Sequence, residues 1–161
     1  MFSISNRLSN KVSITTCSPV ASIYNIGTSL YSPSISFDFS IHEIPAIFDK
    51  TNLCFLFARQ HHPAMKTVSS IRQKLKRPTI FNLIGPLCNP ASVSYHVLGT
   101  TQMGLANLLA ASIQHLSFKK AVIVVGADGR DELSCTGVSR YLEVDSGHIT
   151  EHTFDPRILG L

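Results

Sequence analysis

No apolar run in this sequence reaches the roughly 18 residues that a membrane-spanning helix needs, so nothing in it points to a membrane protein. Its four cysteines, Cys17, Cys54, Cys88 and Cys135, form no C-x-x-C pair. That argues against a zinc site or a disulfide framework and suits a reducing compartment. The nucleotide-binding patterns G-x-x-x-x-G-K-[ST] and G-x-G-x-x-G are both missing. Positive charge is in slight excess, at +4 with a pI near 9.0, but the basic residues cluster only at Lys74, Lys76 and Arg77, without interleaved aromatics. A nucleic-acid partner is therefore not expected. Acidic residues are absent before Asp38, and that serine-rich start has the composition of an organellar transit peptide, although Arg7 and Lys11 are its only basic residues. A cytoplasmic location is the expectation, with an organelle as the alternative.

What is present is the composition of one globular domain. At 161 residues, 44% hydrophobic and 15% charged, the chain is long enough to bury a sizeable core. Two segments are expected, a divergent serine-rich stretch over 1–51 and an α/β domain over 52–161. Asn52 to Ala58, "NLCFLFA", reads as a buried strand. A helix follows from about Pro63, with Met65, Val68, Ile71, Arg72 and Leu75 at spacings of three and four, so that Arg72 lies beside the apolar seam. Gly85-Pro86 and Asn89-Pro90 mark a loop. "SYHVLGT" reads as a strand. Gln102 to Leu116 reads as an amphipathic helix with Leu105, Leu108, Leu109, Ser112, Ile113 and Leu116 on one face. "KKAVIVVGADG" reads as a strand of the buried parallel type, and "RYLEVDSGHITEHTF" as two strands joined by a turn at Asp145-Ser146-Gly147. The alternation predicts an α/β fold, an open and mostly parallel sheet with flanking helices.

Three groups of residues carry candidate chemistry. His148, Glu151 and His152 spell H-x-x-E-H, a zinc pattern when it lies on a helix. Gly147 and the interleaved threonines favour a strand instead, which puts the two histidines on one face and Glu151 on the other. His61 and His62 are either acid–base groups or histidines that simply pack in a loop. Asp131 and Glu132 follow a sheet strand, where open α/β sheets bind ligands. Two hard oxygen donors suit Mg²⁺ held partly through water and phosphate, and a solvated loop is the plainer alternative.

Longer motifs add to this. "FLFARQHHPAMKTVSSIRQKL", "RPTIFNLIGPLCNPA", "VIVVGADGRDELSCTG" and the terminal "ILGL" together resemble the anthranilate phosphoribosyltransferase family, collinearly from about Asn52 to Leu161. The resemblance implies a fold like that of nucleoside phosphorylases and phosphoribosyltransferases, incomplete at both ends, and transfer of a phosphoribosyl group from phosphoribosyl pyrophosphate to anthranilate in tryptophan biosynthesis. It implies that Arg72 grips the anthranilate carboxylate, that His62 and Met65 line the acceptor channel with Gly85-Pro86 as a bend beside it, and that Asp131 and Glu132 bind Mg²⁺. The family's Gly-Thr-Gly-Gly-Asp and Asn-Ile-Ser/Thr-Thr phosphate segments are not found in these residues, and its Lys-His-Gly-Asn-Arg motif is reduced to Ser5, Asn6 and Arg7. The expectation is therefore an inactive fragment or decayed copy. The alternatives are a non-catalytic binding remnant and one half of a split enzyme. A homodimer is implied only where the family's helical N-terminal domain is present.

Overall fold

The computed structural model describes residues 12–16, 40, 42–51, 74, 79–89 and 93–160. The strand expected at Asn52 to Ala58 and the helix expected from Pro63 lie outside these residues. The chain divides into two compact units, one comprising Met1–Val20 with Ile80–Leu161 and the other Ala21–Thr79. Within the smaller unit, α1 (Ile44–Thr51) opens on the sequence Ser-Ile-His-Glu. Glu43 reaches back so that its Oε2 accepts from the Ser40 N–H at 2.6 Å, one half of a capping box.

The larger unit is built on a five-stranded sheet in the order β1 (Val12–Thr16), β2 (Tyr95–Gly99), β3 (Lys120–Val125), β4 (Ser139–Asp145) and β5 (His148–Phe154). The first three strands run parallel, and β4 and β5 return as an antiparallel hairpin. The sheet is thus the expected open α/β sheet, with its antiparallel part confined to one edge. β1 lies inside the serine-rich start, where no strand was expected, and pairs with β2 from Val12 opposite Tyr95 to Thr16 opposite Gly99. The hairpin falls where the sequence placed it. Ser146 and Gly147 have φ of 50° and 81°, the left-handed pair that a two-residue turn between twisted strands requires.

One rung of the sheet shows where the core sits. Leu98, Ile123 and Leu142 stand opposite one another on β2, β3 and β4, and each is at most 2% exposed. They pack with Ala106, Leu109, Ala110 and Ile113 of α3 (Met103–Ile113). The helix was expected here, but its buried face is displaced from the leucine stripe: Leu108 is 55% exposed and Leu116 42%. The alanines decide this, because Ala106 and Ala110 let the helix axis approach the sheet, whereas a face centred on Leu108 would hold it off. Gly85 and Pro86 also differ from expectation. They lie in the last turn of a short helix, α2 (Phe81–Leu87), and not in a loop. So near the end, the proline ring removes only one backbone bond, and the turn still closes when the Cys88 N–H donates to the carbonyls of Ile84 and Gly85.

His96 is an unusual core residue. It is 1% exposed, stacks on Phe118 with ring centroids 5.1 Å apart, and neither ring nitrogen has a hydrogen-bond partner. Burial lowers its pKa from 6.5 to about 4, and the nearby Pro86 carbonyl, outside hydrogen-bonding geometry, only partly offsets this. Because the folded pKa lies below the unfolded one, the unfolded chain takes up a proton that the native chain refuses. The stability tied to the neutral ring is therefore intact above about pH 6.5 and lost as pH falls towards 4. Urea denaturation should show a loss of about 3 kcal/mol across that window in excess of the loss in His96→Leu. Equal pH slopes for the two proteins would contradict the assignment.

Candidate functional site

The site begins where β3 ends. Ala121 to Val125 is apolar and largely β-branched, which suits a strand covered on its helix side, and Gly126 breaks the run. The chain then folds into a tight loop, in which the Gly126 N–H donates to the Arg130 carbonyl at 2.8 Å and the Gly129 N–H to the Gly126 carbonyl at 3.1 Å. A side chain at Gly126 would put its Cβ 2.5 Å from the Glu132 carbonyl oxygen, so the loop closes this tightly only over glycine. Further along, the buried Ser134 N–H donates to Ser139 Oγ at 2.8 Å, and Ser134 Oγ lies 3.1 Å from Thr136 Oγ1. The first of these bonds pins the far side of the loop to the first residue of β4.

The loop holds its two carboxylates differently. Glu132 is 68% exposed, and its Oε1 lies 3.8 Å from Arg130 Nη1, while Arg130 Nε makes a closer pair with Asp128 at 2.9 Å. Pairs this exposed hold their partners weakly. Asp131 is half-buried, and its Oδ2 is shielded from solvent without any hydrogen-bond partner. A buried carboxylate oxygen left unpaired is costly, so its presence calls for a ligand or another partner. An octahedral, oxygen-preferring cation that keeps much of its water shell and takes one or two carboxylates fits this donor set. Among the described residues no group of three or more His, Cys, Asp or Glu side chains gathers as a fuller metal cage.

The location agrees with that chemistry. In the parallel part of the sheet Gly99 of β2 is paired with Val124 of β3, and the loop lies outside these carboxyl ends, the usual ligand side of an open α/β sheet. The H-x-x-E-H residues lie elsewhere, on β5. As expected for a strand, Glu151 is on the opposite face from His148 and His152; it accepts from Arg140 Nε at 2.7 Å, and His152 stacks on Tyr141. Arg72, His62 and Met65 lie outside the described residues. Gly99, Ser134 and Ser139 were not singled out in the sequence. A Cβ at Gly99 would meet the backbone of Asp131, far along the chain, and Ser134 is held by the Ser139 hydroxyl, contacts that no local pattern carries.

A family model described as "Glycosyl transferase family, a/b domain" matches residues 29–161. The chain belongs to that family. Over 113 residues it is 44% identical to the anthranilate phosphoribosyltransferase of Methylobacterium radiotolerans, an alignment covering 70% of this chain and 33% of the relative. Among solved structures, anthranilate phosphoribosyltransferase from Saccharomyces cerevisiae in complex with PRPP and Mg superposes with a TM-score of 0.68 at 30% identity, covering 76% of this chain and 34% of that one. The same enzyme in complex with 4-fluoroanthranilate gives 0.66 at 31% identity over 74% of this chain and 34% of that one. The chain thus spans about a third of the length of the curated relative.

The loop's attachment can be tested on its own. Ser139→Ala removes the acceptor of the buried Ser134 N–H and should destabilise the protein by about 1–3 kcal/mol in urea denaturation. A change within error of zero would mean that the loop is not held at this point.

Proposed function

We propose that this chain supplies the acceptor and metal side of a phosphoribosyltransferase that joins phosphoribosyl pyrophosphate to anthranilate, a glycosyl transfer of tryptophan biosynthesis. The observation that supports this most is the shielded, unpaired Oδ2 of Asp131 at the carboxyl ends of β2 and β3, in a chain similar to a yeast enzyme solved in complex with PRPP and Mg and with 4-fluoroanthranilate.

In this reading Arg72 meets the anthranilate carboxylate with two parallel hydrogen bonds, which a planar guanidinium can make and lysine cannot. His62 and Met65 line the path of the aromatic ring. The anthranilate amine is already a nucleophile, so the demand on the protein is placement. A bond forms between the amine nitrogen and ribose C1, the bond from C1 to the pyrophosphate oxygen breaks, and the nitrogen sheds one proton. Asp131 and Glu132 would hold Mg²⁺ at the pyrophosphate end, where its charge would neutralise the leaving group. The reaction takes place in the cytoplasm, or in an organelle if the serine-rich start acts as a transit peptide.

The 161 residues contain no glycine-rich loop whose backbone N–H groups would cradle the donor's phosphates. Two carboxylates repel pyrophosphate unless a cation bridges them, and with no other anchor the donor is held weakly. Expressed as these residues alone, the chain is expected to form no phosphoribosyl anthranilate at saturating substrates and Mg²⁺. Turnover above that of the double variant Asp131→Asn, Glu132→Gln would contradict this.

Joined to the upstream part of the Saccharomyces cerevisiae enzyme, the chain separates the two roles. Arg72→Ala should weaken anthranilate by roughly 1.5–3 kcal/mol, the worth of a charged hydrogen bond. The Asp131→Asn, Glu132→Gln pair should lower kcat and raise the Mg²⁺ requirement while the anthranilate KM stays near its starting value. An anthranilate KM unmoved by Arg72→Ala, or moved only by the carboxylate pair, would overturn the assignment.

A further inference from the structure

The loop that carries Asp131 and Glu132 comes down on glycine at three points. Gly99 is the last residue of β2, Gly126 follows the last residue of β3, and Gly137 stands just before β4. A Cβ built on Gly99 would lie 1.7 Å from the Asp131 carbonyl oxygen, 2.7 Å from its carbonyl carbon and 3.0 Å from its Cβ. One built on Gly126 would lie 2.5 Å from the Glu132 carbonyl oxygen and 3.0 Å from that of Arg130, and one on Gly137 would lie 2.9 Å from the Ala127 Cβ. None of these atoms is the free end of a flexible side chain, so none can swing aside. Nor does any of the three glycines have a positive φ, whereas Gly129, inside the loop, has φ of 72° and a Cβ there would meet nothing. Gly129 is glycine for its conformation; the other three are glycine for space.

Strand alternation tells which side of the sheet the loop occupies. Leu98 packs under α3, and Gly99, the next residue of β2, turns to the opposite face beside Val124 of β3. The backbone at Asp131 therefore rests on the face away from α3, directly against bare Gly99. A glycine weakens the strand that holds it, so its place at the end of β2 needs a reason. The proposed cation supplies one: an ion with near-octahedral demands tolerates little error in where a carboxylate stands.

We infer that Gly99, Gly126 and Gly137 are positioning residues for the metal loop: side-chain-free backbone at one end of three adjacent strands forms a seat that sets where the Asp131 carboxylate stands. This rests on the metal role proposed for Asp131. It adds residues that touch neither substrate nor cation.

The test titrates the ¹⁵N-labelled chain with Mn²⁺ alone as the paramagnetic probe. In the unsubstituted protein, Mn²⁺ should first broaden the amide signals of residues 126–132. Gly99→Ala should shift those amides and leave the signals of α3 in place, because the helix packs on the other face. It should also need about 10- to 100-fold more Mn²⁺, the usual cost of losing support around a metal ligand. Gly104→Ala, on α3 where an added Cβ meets nothing, should bind Mn²⁺ like the unsubstituted chain. Gly137→Ala should weaken Mn²⁺ binding too, and Ala127→Gly added to it removes the obstructing atom and should recover most of the loss, a coupling that general destabilisation would not produce. If Gly99→Ala fails to fold, the pair at 127 and 137 decides the matter. Unaltered Mn²⁺ affinity in Gly99→Ala or Gly137→Ala, an equal loss in Gly104→Ala, or no recovery in the double variant would overturn the inference and leave the metal role of Asp131 standing. No Mn²⁺ response around Asp131 in the unsubstituted protein would overturn both.

Discussion

When β2 and β3 pair in parallel, their carboxyl ends emerge side by side, and the loop that follows β3 lies against the end of β2. The pairing sets Leu98 opposite Ile123 and Gly99 opposite Val124, with Thr100 adding one more backbone bond to Val124. The first rung is covered by α3 and belongs to the core; the next is the floor of the candidate site. A shift of one residue in this register would turn Leu98 out of the core and put a side chain where the Asp131 backbone now lies. Core and site are therefore fixed by one set of hydrogen bonds.

The loop owes little to its visible charges. Arg130, Asp128 and Glu132 form a surface trio that high salt would weaken. Shape and buried bonds hold the loop instead, through the close approaches at Gly99 and Gly126 and the bond from Ser134 to Ser139. On that frame Asp131 keeps an oxygen that solvent does not reach and no donor satisfies. A fold optimised only for stability would pair that oxygen or expose it. Its retention fits a site in which the missing partner arrives with the ligand.

The parts of the fold legible in the sequence were those whose side chains report their own surroundings. β3 showed as an unbroken apolar run, and the hairpin as alternating residues about Ser146-Gly147. β1 was hidden because five residues of Val, Ser, Ile and Thr in a serine-rich stretch become a strand only by pairing with β2. The buried face of α3 was misread because hydrophobicity ranks leucine above alanine, whereas the sheet selects the small residues that allow close packing. α2 was read as a loop because Gly85-Pro86 is a turn signal almost anywhere except the last turn of a helix. At the site, position after a strand suggested Asp131 and Glu132, but only family resemblance gave them a role. Gly99 was illegible, since what marks it is the proximity of a segment some thirty residues further along.

The loop after β3 is proposed to hold a divalent cation through Asp131 at the carboxyl ends of β2 and β3. Crystals of the chain soaked in Mn²⁺ and measured for anomalous scattering would test it most directly. The expected result is a peak bound by Asp131, directly or through one water, on the side of the loop facing the ends of β2 and β3. An anomalous peak held by other residues, with Asp131 Oδ2 paired to a protein donor, would contradict it.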